Sequence, residues 1–113
     1  MELNEFQTEV AQFAKKRDWE KFHTIKNLVL ALVGEAGELA SVVQWLDTVD
    51  KEFLDKNLCI RQDLADELSD VFIYLLRIAD VAGIDILKAS EEKMQKNSER
   101  YTIDKSFGNA QKQ

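Results

Sequence analysis

Two pairs of acidic residues carry spacing that could do chemistry: Glu35 with Glu38, and Glu67 with Asp70, each pair three positions apart. On a helix that offset is roughly 60° around the axis and about 4.5 Å along it, so each pair shares a face. The shared face is not the polar one. Continuing the apolar register of Leu28 and Leu32 lands on Glu35, and Leu39 and Val42 follow; Leu64, Leu68 and Val71 flank the second pair in the same way. An unpartnered buried carboxylate is costly and protonates rather than staying charged, so four together require compensating charge. Salt bridges to Lys26, Arg61 or Arg77 would supply it from the protein and make the acids an ordinary solvated face. A metal is the other source. Gly34 and Gly37 interleave with the first pair, each at a cost of about 1 kcal/mol relative to alanine, which is tolerated where something approaches the backbone closely. Ligation by carboxylate oxygen alone suits Mg²⁺, with Mn²⁺ as a substitute, whereas zinc would call for histidine or cysteine. A di-iron bundle would need glutamate-x-x-histidine on two helices, and the only histidine, His23, lies outside both pairs.

The elements that must hold these acids are helices. Leu3, Phe6, Val10 and Phe13 form a stripe on a first helix that ends near Lys15-Lys16-Arg17, a basic end that suits the helix dipole. Asp18–His23 lacks helical period and is expected to be a connector, with Trp19, Phe22 and His23 on it. A second helix is predicted from about Thr24, its cap, to Leu46, followed by a polar loop or short turn over Asp47–Asn57. A third runs from near Leu58 to Ala82 and stops at Gly83, where a left-handed glycine closes it. Asp85 caps a fourth that reaches about Tyr101, and Thr102–Gln113 is a polar tail. Eight of the nine residues Val71–Ala79 are hydrophobic, Arg77 being the interruption, so the third helix needs cover on nearly every side. Four helices in one small chain cannot easily supply that. The expected architecture is an all-α four-helix bundle completed by homo-oligomerisation, as a dimer or tetramer.

Composition narrows the function. A chain of 113 residues, 45% hydrophobic and 32% charged, is one globular domain by length. A single cysteine, Cys59, excludes an intrachain disulfide and a cysteine-rich zinc site. Net charge −6 disfavours binding of a nucleic-acid polymer through bulk positive charge, so an anionic ligand would need a metal between itself and the protein. No stretch approaches the roughly 20 apolar residues of a membrane span, and Met1–Glu5 lacks the basic start of a signal peptide, so a cytoplasmic location is expected. Absence of proline and only four glycines suit a few long helices.

Beyond the acids, Arg17-Asp18-Trp19-x-x-Phe22-His23-x-x-Lys26-Asn27-Leu28, Gly34-Glu35-Ala36-Gly37-Glu38-Leu39, Gln44-Trp45 and Asp66-Glu67-Leu68-Ser69-Asp70-Val71-Phe72-Ile73-Tyr74 stand out together. With Lys93, Asn97, Arg100 and Tyr101, they resemble the all-α nucleoside triphosphate pyrophosphohydrolases, the MazG-like superfamily, in its dCTP pyrophosphatase branch. The resemblance covers about residues 1–101, leaving 102–113 as a tail; it departs at Ile25 and Thr102, where that branch often has proline.

The resemblance implies Mg²⁺-dependent cleavage of a (deoxy)nucleoside triphosphate, dCTP or a related or modified dNTP, to the monophosphate and pyrophosphate. Glu35, Glu38, Glu67 and Asp70 would be the metal ligands, with Glu38 also the general base, and Lys93 and Arg100 would clamp phosphates. Lys26 and Tyr101 match the same motif and are carried over as substrate contacts. Trp19, His23, Trp45 and Tyr74 are candidates for contact with the base, and base stacking is worth about 1 to 3 kcal/mol. Trp45 and Tyr74 equally fit core positions near the metal face, Trp19 and Phe22 a helix end, and His23 a cap. Asn97, on the inner stripe of the fourth helix, needs a polar partner that substrate could supply. A family member acting on dUTP or phosphoribosyl-ATP is the enzymatic alternative; a non-catalytic oligomerisation module is the other, disfavoured by the presence of all four acids.

Overall fold

A computed structural model describes all residues, Met1–Gln113, and every regular element in it is helical. Two compact units divide the chain, Met1–Gly83 and Ile84–Gln113. In the first, α1 (Leu3–Lys16), α2 (Ile25–Val43) and α3 (Lys51–Lys56) all pack on α4 (Leu58–Ala82), α2 most extensively. The second holds α5 (Ile86–Arg100) and the short α6 (Ile103–Ser106), which falls inside the polar tail.

Local signals set most of the boundaries. The Thr24 side chain accepts a hydrogen bond from the Asn27 amide at 3.1 Å and caps α2, and Asp85 caps α5 by accepting from Lys88 N–H at 3.1 Å. Gly83, at φ 70°, closes α4 in the left-handed region that glycine enters freely. Asp18 also has a positive φ, 55°, and turns the chain out of α1; its side-chain type is among the few that tolerate that conformation.

Two predicted elements differ. α2 stops at Val43 rather than Leu46, because the Leu46 amide donates to Val43 O at 3.0 Å in a tightened turn and the following Asp47-Thr48-Val49 favours extended chain. The Asp47–Asn57 segment folds into α3: Asp50 caps it by accepting from Phe53 N–H at 2.9 Å, and ion pairs Lys51–Asp55 (2.8 Å) and Glu52–Lys56 (3.1 Å) brace it.

The fully buried apolar set is small: Leu28 on α2, Leu76 and Ala79 on α4, and Ala14 on α1. Phe6 stacks on Phe72 with ring centroids 6.3 Å apart. Large apolar side chains remain exposed on both long helices, among them Leu30 and Val33 on α2 and Leu68, Phe72 and Leu75 on α4. No helix is long and apolar enough to cross a membrane.

Candidate functional site

The packing of α2 on α4 brings the two acid pairs together. Carboxylate oxygens of Glu35, Glu38 and Glu67 lie within 4.8 Å of one another, and Asp70 is near enough for its charge to act on both Glu35 and Glu67. Glu35 and Glu67 are half-buried, while Glu38 and Asp70 sit at the exposed rim. One oxygen of Glu35 and one of Glu67, Oε2 in each case, are fully buried and have no hydrogen-bond partner. Loss of solvation pushes both carboxyls above the ordinary range, and the negative charges of Glu38 and then Asp70 push them further.

Protein cations do not offset this charge. Arg61 pairs with Asp55 at 3.2 Å, Arg77 pairs with Asp80 at 3.2 Å, and Lys26 is exposed and makes no ion pair with the acids. The salt-bridged alternative therefore fails: each of the two arginines is engaged elsewhere. A cluster of clashing carboxylates, two with orphaned buried oxygens and all offering hard oxygen donors, fits a divalent cation. Apart from the helix's own adjoining backbone, nothing in the chain would come within 4 Å of a Cβ at Gly34 or Gly37, so packing inside this chain does not demand these glycines. The space beside them is open.

A second feature adjoins α2 and α4. Trp19, Phe22 and His23 of the connector, Asn27, Leu28 and Ala31 of α2, and Tyr74 of α4 line a cleft of about 360 Å³. The connector is held in place by a short 3₁₀ turn, Glu20–Phe22, and by Asn27 Nδ2 donating to Phe22 O at 3.1 Å. Trp19 meets Phe13 edge-on at 5.7 Å and His23 at 6.4 Å. Tyr74 lies one helical turn beyond Asp70, which relates the cleft to the acid seam through the single rigid helix α4.

The structure thus brings Trp19 and His23 of the connector, and Tyr74 of α4, to one cleft. Trp45 lies beyond the end of α2, not on the helix, and is 87% exposed rather than half-buried. The early end of the helix removes the register on which that expectation depended. Lys93, Asn97, Arg100 and Tyr101 belong to the Ile84–Gln113 unit, where the Arg100 guanidinium lies 5.4 Å from the Tyr101 ring and donates to Gln113 O. Tyr101 also lines a cleft with Ser98, Thr102, Ile103 and Asp104.

Arg77, which is not among the expected contacts, adjoins the cleft through His23. Its side chain is 9% exposed and donates from Nε to His23 Nδ1 at 3.0 Å. Burial, and then the Arg77 charge, hold the His23 imidazole below its ordinary pKa, against a weaker upward pull from Glu20. The signal was present: a lone cation within an apolar helical run needs a partner.

The family model of the MazG nucleotide pyrophosphohydrolase domain matches residues 23–102. Among curated proteins, dCTP pyrophosphatase 1 of Rattus norvegicus is 44% identical over 100 residues, covering 88% of this chain and 59% of that protein. The Homo sapiens protein of the same name is 45% identical over 91 residues, covering 80% of this chain and 54% of its own. The chain therefore spans less than two thirds of the length of these relatives. Among solved structures, a pyrophosphatase from Archaeoglobus fulgidus superposes with a TM-score of 0.79 at 35% identity, covering 88% of this chain and 92% of the other.

Proposed function

Because the chain belongs to the MazG nucleotide pyrophosphohydrolase domain family, we propose that it hydrolyses a deoxynucleoside triphosphate, dCTP or a related or modified dNTP, between the α- and β-phosphates. The observation that carries this function is the pair of orphaned, buried oxygens of Glu35 and Glu67 inside a cluster of like charges, which no cation of the protein offsets. Glu35, Glu38, Glu67 and Asp70 would hold Mg²⁺, or Mn²⁺ in its place. A divalent cation held there would supply charge neutralisation for the triphosphate and would lower the pKa of a water for attack on phosphorus.

The chain's own groups divide the remaining work. Glu38 is exposed at the rim, where solvent reaches it, and is the general base that takes the proton from the attacking water. Glu35 and Glu67, less accessible, hold charge in place. Trp19 and Tyr74 enclose the base in the cleft between the connector and α4, with His23 at its polar edge. Lys26, at the exposed start of α2, contributes to phosphate binding, and Trp45 is free to reach substrate from its exposed turn; Lys93, Asn97, Arg100 and Tyr101 are kept as phosphate and sugar contacts on the family resemblance alone. Residues 1–101 would be the working domain, acting on free nucleotide in the cytoplasm.

Steady release of pyrophosphate from a panel of Mg²⁺-nucleoside triphosphates tests the activity. The expected result is dCMP and pyrophosphate from dCTP, abolished by chelator; release of orthophosphate, or of nothing from any nucleotide, would contradict it. Homo-oligomerisation completes the proposal, since exposed Phe72 and Leu75 on α4 and Leu30 and Val33 on α2 need cover. Light scattering at micromolar concentration is expected to give at least twice the 13.0 kDa chain mass; a stable monomer would remove the premise.

A further inference from the structure

We infer that Arg77 is a positioning residue for nucleotide selection: by donating from Nε to Nδ1 of His23, it leaves the imidazole proton on Nε2. The ring, which lines the cleft, then carries a fixed hydrogen-bond donor and favours a base that presents an acceptor to it. The inference rests on the assignment of the cleft as the nucleobase subsite.

The donor chemistry fixes the tautomer. A guanidinium has no acceptor, so the nitrogen it donates to must carry a lone pair, and the proton of the neutral ring lies on the other nitrogen. The contact is 3.0 Å, and Arg77 is anchored in turn by Nη1 donating to Asp80 at 3.2 Å, one turn further along α4. Burial of the guanidinium prevents it from swinging to solvent. The charged groups around the ring are Arg77 and, behind it, Asp80 from α4, and Glu20 from the connector's own turn. Protonating Nδ1 would set one N–H against another and a cation against a cation. The ring therefore stays neutral and lines the cleft beside Trp19, Asn27 and Tyr74, with Nε2 as its remaining polar atom. Cytosine presents O2 and N3 as adjacent acceptors, whereas uracil keeps acceptors only at O2 and O4 and turns an N–H outward at N3, so a donor fixed opposite N3 is paired by cytosine and opposed by uracil. A site built around a buried polar group discriminates most strongly against the analogue that leaves that group unpaired.

His23 is the chain's only histidine, so its ring nitrogens can be followed by NMR without ambiguity. The wild-type protein at about neutral pH is expected to show Nδ1 unprotonated and Nε2 protonated; a proton on Nδ1 overturns the inference without any variant being made. Arg77→Met is expected to mix the tautomers, move the ring's titration toward its ordinary value, and raise KM for dCTP about 2- to 12-fold, the worth of one ordinary hydrogen bond. Its kcat should change little, and the preference for dCTP over dUTP should narrow. Arg77→Gln retains a donor and should recover most of the loss. In a His23→Ala background, Arg77→Met should add nothing further, because its effect passes through the ring. Full additivity in that background, or an unchanged KM in an active Arg77→Met variant, overturns the inference and leaves the proposed hydrolysis standing. A wild-type protein that turned over no nucleotide would overturn that function and the selection role together, while the ring spectra would still report whether Arg77 holds the tautomer.

Discussion

Glu67→Gln is expected to lower Mg²⁺-dependent turnover by more than about 100-fold while making the metal-free protein more stable at neutral pH. The first effect follows from removing a ligand, since even the outer partners of metal ligands are worth roughly 10- to 100-fold. The second follows from the position of the Glu67 carboxyl. Loss of solvation, and then the charge of Glu38, raise its pKa above the unfolded value, so the folded state holds the proton more tightly than the unfolded chain does. The stability gained from that proton is fully present below the unfolded pKa of 4.5 and is lost as pH rises through the higher folded value. At neutral pH the metal-free protein therefore carries a repulsion that glutamine removes. Thermal unfolding in chelator, followed from acid to neutral pH, should show wild-type Tm falling over that window and the Glu67→Gln curve flatter and higher at the neutral end. Added Mg²⁺ should reverse the order by stabilising only the wild type. A variant destabilised in chelator, or fully active, would remove Glu67 from the ligand set.

Trp19→Ala should raise KM for dCTP roughly 5- to 150-fold, the equivalent of a stacking contact of about 1 to 3 kcal/mol when KM tracks binding. Metal affinity should be unchanged, because Trp19 lines the cleft and not the carboxylate cluster. The side chain is 42% exposed and its packing partners are the edges of Phe13 and His23, so truncation should leave the fold standing. Kinetic constants for dCTP and dATP, measured after circular dichroism confirms the helices, separate the outcomes. Unchanged constants for both would make Trp19 a cover for the end of α1 and move base recognition elsewhere.

Some of this molecule is written locally in its sequence and some is not. Thr24, Asp85 and Gly83 mark helix ends through bonds and dihedrals that involve only their near neighbours, and each marks the end that the residue type predicts. One acid of each pair was legible for a similar reason: Glu35 and Glu67 stand at apolar register positions and turn toward the α2–α4 packing, while Glu38 and Asp70, three residues on, reach only its exposed rim. α3 was less visible because six residues carry too little periodicity, although the Asp50 cap and the i,i+4 pairs Lys51–Asp55 and Glu52–Lys56 were a usable signal. Trp45 falls outside α2 because no glycine or proline marks where that helix ends, so its exposure could not be read from the register. The bond between Arg77 and His23 joins residues 54 apart, so no local pattern could contain it.

The central claim is that the seam between α2 and α4 holds divalent cations through its carboxylates. Calorimetric titration of Mn²⁺ into the wild-type protein and into Glu35→Gln, each with a non-hydrolysable α,β-methylene nucleotide present, tests it most directly. The expected result is saturable binding by the wild type, weakened at least about 10-fold in the variant, with unchanged helical content. Equal Mn²⁺ affinity in the two proteins would contradict the assignment of the orphaned Glu35 oxygen to a metal and, with it, the chemistry proposed for this site.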